Sequence, residues 1–351
     1  MKRNLILSAI LTVAVAVAAV SPKMVDGLSG ECTKLYVAGG KLFAGGYFDK
    51  ADRRVVNNIA QYDGTKWSGL AKGVDGTPKD MCAVGKDLYV CGDWTEVDKK
   101  DDAGIQSNQV ACWDGTKWNA LEKLNVDQQI NALATDGKNL YVGGKFTKIA
   151  GKIEGYNVAK WDGKKWSNLT KDKFENSAGT PAVMSLAWHD GKLYAGGYFQ
   201  TIGDEPCSKI AVFDGKAWSE VGNKGLDGMV RVLVSIGKTL YAGGEFREAG
   251  DGTKLNNIAK WDGAKWQPLG NGIGKNVSSI AIDGETLYAA AGGNAYKWDG
   301  KSWSELPEIQ YANIKAVAVF NGTLYVGGLF DGGQFQGICK FVNGKWEAAY
   351  Q

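Results

Sequence analysis

A heptapeptide ending in Asp-Gly-x-x-Trp limits what this chain can fold into more than any other feature. Gln61-Tyr62-Asp63-Gly64-Thr65-Lys66-Trp67 returns over Cys112 to Trp118, Lys160 to Trp166, Val212 to Trp218, Lys260 to Trp266 and Lys297 to Trp303, and a weaker copy ends at Trp346. Successive tryptophans lie 51, 48, 52, 48, 37 and 43 residues apart, a period at which self-similarity marks propellers and solenoids. A second landmark, hydrophobic-Tyr-small-Gly-Gly, precedes each copy. It is clearest in Leu140-Tyr141-Val142-Gly143-Gly144, Leu193 to Gly197, Leu240 to Gly244 and Leu324 to Gly328, and degenerate over Leu42 to Gly46, Leu88 to Gly92 and Leu287 to Ala291. Seven of each landmark give seven repeats.

Period-2 patterns and turn dipeptides divide each repeat into four short strands, a to d. In the third repeat they are Ile130 to Ala134, Leu140 to Gly144, Asn157 to Trp161, and a strand beginning at Lys165. The expected fold is all-β: a seven-bladed β-propeller of four-stranded antiparallel blades over residues 32–351, a single domain despite its length. Asp-Gly between c and d predicts a two-residue type I′ hairpin. That register sets Trp161 opposite Lys164 and Ala159 opposite Trp166, so that each indole meets a small residue.

The double glycine after a hydrophobic-tyrosine strand, then an aromatic, then a tryptophan, resembles the kelch repeat over about residues 33 to 350. The Gly-Gly-x-Phe and Asn-Ile-Ala-Lys-Trp-Asp-Gly wording is closer still to repeats of bacterial and fungal cell-surface propellers. The resemblance implies four-stranded blades around a channel and mainly adhesion or interaction roles. Repeat six departs by lacking its long b-c loop, and repeat seven by Phe341 and Asn343-Gly344 in place of Trp-Asp-Gly.

Before the repeats, Lys2 and Arg3 precede an apolar run from Leu5 to Val20, broken only by Ser8 and Thr12, with Ala16-Val17-Ala18 as a small-residue cleavage site. Residues 1–18 read as a signal peptide rather than a membrane anchor, and 19–31 as an N-terminal linker. The expected product is exported, whether periplasmic, secreted or at the cell surface, and monomeric, with no stable membrane insertion. Its removal lowers the formal net charge from +3 to about +1. With so little excess charge, and no basic run interleaved with aromatics, no nucleic-acid partner is expected. Six cysteines enter an oxidising compartment, and their pairing is open. If Gly85-Lys86 forms the a-b turn, Cys82 faces Tyr89 and lies only diagonal to Cys91, about 7 Å away, too far for a relaxed bridge.

The a-b and c-d turns of such a blade emerge on one face and the b-c and d-a connections on the other. The b-c loops are long and mostly unlike one another in sequence, which makes the b-c/d-a face the candidate binding surface. The second residue after each double glycine is nearly fixed, as Phe48, Trp94, Phe146, Phe199, Phe246 and Phe330, and reads as core. The residue before it varies and points the opposite way. Tyr47, Asp93, Lys145, Tyr198, Glu245 and Leu329 are therefore the candidate ligand-binding ring near one channel mouth.

Catalytic and metal chemistry finds little purchase. The one histidine, His189, reads as a solvated turn residue, which excludes a multi-histidine metal site, and no catalytic residue, metal ligand or cofactor is assigned. The acidic stretch Glu96 to Asp102 lacks the alternating oxygen ligands of a calcium loop. The expected function is a non-catalytic interaction propeller that takes a protein or surface ligand on the b-c/d-a face. A carbohydrate-binding lectin is the second reading, since exposed tryptophans often bind sugars, though eleven of the 13 tryptophans sit in c-d hairpins. A hydrolase using channel carboxylates is the third.

Overall fold

The computed structural model describes residues 27–100, 103–121, 124–151, 153–331 and 334–349, and every regular element among them is a strand. Seven four-stranded antiparallel sheets follow one another along the chain, each in the order a-b-c-d. In the third, the strands are Ile130–Thr135, Leu140–Gly144, Val158–Trp161 and Trp166–Asn168. Strand a of every sheet lines a central channel, so strand d is outermost. No helix among the described residues is long and apolar enough to cross a membrane. Residues 1–18, expected to be a signal peptide, and residues 19–26 of the expected linker lie outside the described residues.

The ring closes by packing rather than by exchange of a strand: the first sheet begins with its own strand a, Glu31–Ala38, and the seventh ends with its own strand d, Lys345–Ala348. The seam is reinforced by the linker's end. Leu28 is fully buried, its N–H donates to Gln336 O at 3.1 Å, and it bridges to Ala51. Tyr62 meets Phe320 and Tyr325 across the same seam, with ring centroids 6.1 and 6.2 Å apart.

Both glycines of the repeated pair have steric reasons. In all seven sheets strand a carries a β-bulge opposite this pair. A Cβ on the second glycine would lie 2.1 Å from Gln129 O at Gly144 and 2.0 Å from Ala182 O at Gly197, so glycine lets the bulged strand approach closely there. A Cβ on the first would strike the next blade: Gly143 against Val183, Gly196 against Val230 and Gly243 against Val277. The sixth sheet keeps its bulge with Ala290 and Ala291 in these slots.

The c-d connection differs from the expected two-residue turn. Trp161 pairs with Trp166, and Ala159 with Asn168, so four residues form the loop. Asp162 keeps negative φ while Gly163 takes +94°, and a type I′ turn needs positive φ at both. In exchange Asp162 Oδ1 accepts the N–H groups of Lys164 and Lys165, each at 2.9 Å. The indoles therefore face aromatics rather than alanines, with ring centroids 4.8 to 5.5 Å apart in all seven sheets. Such pairs add about 0.5–1.5 kcal/mol each beyond their buried area.

The b-c loops, unlike in sequence, share a fold. Two-stranded ribbons occupy them at Lys50–Ala51 with Arg54–Val55, Glu96–Lys100 with Ala103–Gln106, Lys148–Ile149 with Ile153–Glu154, and Thr201–Ile202 with Glu205–Pro206. Each ribbon is pinned by one buried apolar residue, Ala51, Val97, Ile149 or Ile202. Aspartates of the d-a loops cap two of these ribbons: Asp127 Oδ1 accepts from the N–H groups of Thr147 and Lys148, and Asp75 Oδ1 from those of Thr95 and Glu96. Asp227 Oδ1 likewise takes those of Arg247 and Glu248 in the fifth blade's loop. Much of this face is thus a built surface.

Candidate functional site

The channel encloses about 1220 Å³. Its wall is strand a, and the bulges decide what it presents. A bulge inserts one extra residue and re-aims its side chain, and here it does so at the same level seven times. Lys79, Arg231 and Lys315 are the cationic bulge residues, and Thr33, Asn131, Met184 and Ser278 the neutral ones. All seven line the channel. They sit at the start of strand a, beside the end of strand b, and so near the b-c/d-a mouth. Sequence reasoning missed this ring because a bulge leaves no mark in an alternating pattern; the repeated Gly-Gly opposite it was the available signal.

Just below the ring, side chains bind neighbouring blades together. Asp80 pairs with Lys34 at 2.6 Å and accepts the Leu133 N–H at 2.8 Å. Ser185 Oγ accepts the Leu233 N–H at 2.9 Å, and Ser279 Oγ that of Val317 at 3.2 Å. These side chains occupy equivalent positions, one residue after the bulge. They hold the channel wall rigid.

The six residues singled out from sequence take different places. Lys145 and Tyr198 line the channel mouth. Asp93 and Glu245 reach it through partners: Asp93 pairs with Lys79 at 2.7 Å, and Glu245 accepts from Arg231 Nε at 2.8 Å. Tyr47, paired with Glu31, stands 74% exposed, and Leu329, paired with Asn313, is 37% exposed; both lie outside the lining. Tyr198 has Lys209 Nζ 4.7 Å above its ring, and burial pushes that ammonium's pKa below its ordinary value. The fixed aromatics Phe48, Trp94, Phe146, Phe199, Phe246 and Phe330 are all buried.

His189 is not the solvated residue expected. It ends strand a, is buried, and places Nδ1 2.9 Å from Ser235 Oγ of the next blade. Burial lowers its pKa. All six cysteines are unbridged and buried, and Cys82 does pair with Tyr89. In the acidic stretch, Glu96–Lys100 is a ribbon strand, while Asp101 and Asp102 lie outside the described residues. No group of three or more His, Cys, Asp or Glu side chains among the described residues is gathered to hold a metal.

The Rax2 C-terminal β-propeller domain matches residues 161–324, somewhat under half of the chain. No curated protein matches it. Among solved structures, the extracellular domain of the one-component system BT4673 from B. thetaiotaomicron is similar at a TM-score of 0.59 and 10% identity, over 90% of this chain and 39% of that one. This chain thus spans well under half of that structure. The computationally designed Ika8 protein is similar at a TM-score of 0.53 and 16% identity, over 92% of this chain and 87% of its own. At such identities the likeness concerns the fold. The seven sheets, the central channel and these matches together make the chain a β-propeller.

Proposed function

We propose that the chain is an exported, non-catalytic interaction module of kelch-like repeats whose b-c/d-a face binds a protein partner. One observation carries this reading. Of the six large hydrophobic residues exposed among the described ones, Tyr47, Val55, Tyr311 and Leu329 all lie on this face, in the first and seventh blades, which ring closure makes neighbours. Tyr47, Val55 and Tyr311 are each at least 67% exposed. Aromatic and aliphatic groups collected on a rigid, water-facing surface are the raw material of an interface hot spot. The N-terminal segment supports export, as does the extracellular setting named for the similar B. thetaiotaomicron domain.

The other two readings have less support. No tryptophan is exposed among the described residues, and Trp188 is stacked on Tyr141 at 5.6 Å, which leaves little indole surface for a sugar. A hydrolase of the two-carboxylate kind needs a facing pair, and the channel lining offers Asp80, already engaged by Lys34 and Leu133.

The test places a photocrosslinking phenylalanine analogue at Tyr311 and, separately, at Lys138 on the a-b turn of the opposite face, then exposes cells of the source to each protein. Discrete protein adducts from position 311 alone are expected. Equal adducts from both positions, or none together with selective binding on a glycan array, would overturn the reading.

A further inference from the structure

We propose that the b-c/d-a mouth of the channel is a binding site for a small organic oxyanion, held by the cationic side chains of the bulge ring and its rim. The charges are unbalanced there. Lys34, Lys79, Lys145, Arg231 and Lys315 line the channel with Asp80 as the lone lining carboxylate among the described residues. Counting the rim carboxylates that pair with Lys79 and Arg231, five cations still face three anions, Asp80, Asp93 and Glu245.

The excess resides in two particular residues. Lys145 and Lys315 have no carboxylate within ion-pairing distance among the described residues. Both are partly buried rather than projecting freely into solvent. They are contributed by the third and seventh blades, so they approach the channel from different sides of the ring. Like charges gathered at a partly enclosed mouth repel one another, and the low-dielectric wall focuses their field, so the arrangement favours a bound anion.

Polar groups that would orient such a ligand lie at the same level. Asn131 accepts from Lys79 Nζ at 3.5 Å and donates to Val183 O at 3.2 Å, and Tyr198, whose hydroxyl donates to Ala178 O at 3.5 Å, lines the mouth. The far end of the channel is different in kind. Val37 and Ile236 line it near the a-b turns and are 39% and 44% exposed. A ligand with an oxyanion at one end and an apolar body would match both halves. About 1220 Å³ is ample for one, since small-molecule sites span roughly 300–1,000 Å³. The oxyanion is a carboxylate or a phosphate, and the probes below separate the two.

The experiment is isothermal titration of the purified protein, at low ionic strength, with citrate and with inorganic phosphate, alongside a Lys145→Met/Lys315→Met variant and a Lys138→Met/Lys301→Met control at exposed lysines outside the channel. Saturable binding of one probe is expected, weakened at least tenfold in the channel variant, unchanged in the control, and falling with added salt. Circular dichroism checks that both variants stay folded. If folding of the channel variant fails, ¹³C-methylated lysine resonances of the unaltered protein replace it, and citrate or phosphate should move only resonances of the four channel lysines, Lys145 and Lys315 most, and leave the rest. No saturable binding of either probe, equal weakening in the control, or uniform movement of all lysine resonances overturns the proposal.

Discussion

Gly143 and Val183 meet across the seam between the third and fourth blades: a Cβ built on Gly143 would lie 2.6 Å from Val183 Cγ1. The backbone there is an ordinary strand, so the constraint is interblade contact rather than conformational strain. Gly143→Ala is expected to destabilise by about 1–3 kcal/mol, the usual cost of overpacking. Val183→Ala beside it should relieve the clash, so the double variant loses less stability than the two single losses combined. Urea unfolding of the four proteins checks this, and simple additivity would show that the seam adapts by some other route.

Acid should weaken the fold in two stages. The aspartates of the c-d loops are held as carboxylates by hydrogen bonds. Asp63 is lowered to about 2 by the Thr65 hydroxyl and then the Lys66 and Thr65 amides, and Asp262 to about 2 by the Lys265 and Ala264 amides. A pKa depressed on folding gives stability that is complete above the unfolded value and is lost as pH falls through the folded one. That stage runs from about pH 4 to pH 2. His189, whose pKa burial lowers, obeys the same sign from a higher start, so a smaller loss should begin as pH falls below about 6.5. Urea midpoints from pH 8 to pH 2 should show both stages, and His189→Gln should remove the upper one alone.

The six thiols should be inert in the folded protein. Burial raises Cys32, Cys82 and Cys207 to about 12, and Cys112 to about 11. Thiolate is the reactive form, and at pH 8 little is present or accessible. Titration with a thiol-disulfide reagent at pH 8 is expected to label none within minutes natively and all six in guanidinium. Rapid native labelling of even one would mean that a blade opens locally.

Trp118 ties the second blade to the first by donating its indole N–H to Leu70 O at 2.8 Å, with 1% of the residue exposed. Trp118→Phe keeps a tilted ring contact with Trp113 but removes one of the two donors to Leu70 O, which also accepts the Gly73 N–H at 2.9 Å, and leaves space where the larger indole packed. A loss of about 1–3 kcal/mol is expected, read as a lower thermal midpoint with unchanged far-ultraviolet circular dichroism. A midpoint within error of the parent would show that the Gly73 N–H alone satisfies the Leu70 carbonyl and that neighbouring side chains refill the space.

Much of the candidate site was hidden by a single local device. The alternation after each double glycine placed Phe146 and Phe199 in the core and turned Lys145 and Tyr198 the other way, as found. The same reasoning could not find Lys79, Arg231 or Lys315, because each occupies an inserted position that breaks the period it relies on. His189 was misplaced for a related reason. The sequence places it in the a-b turn, whereas it ends strand a, paired with Lys192, and its burial comes from Ser235 and Tyr194, of which Ser235 lies 46 residues away.

The sequence by itself determined the repeat, its four strands and their order in the sheet, because these depend on period and turn chemistry. The structure corrected the c-d register, which is itself local, since Asp162 gains two amide donors two and three residues on that a shorter turn would forgo. Only the tertiary structure decided which face the b-c ribbons build and which cations meet in the channel. Those are relations between residues about fifty positions apart, brought to one level by ring closure, and no pattern within a single repeat encodes them.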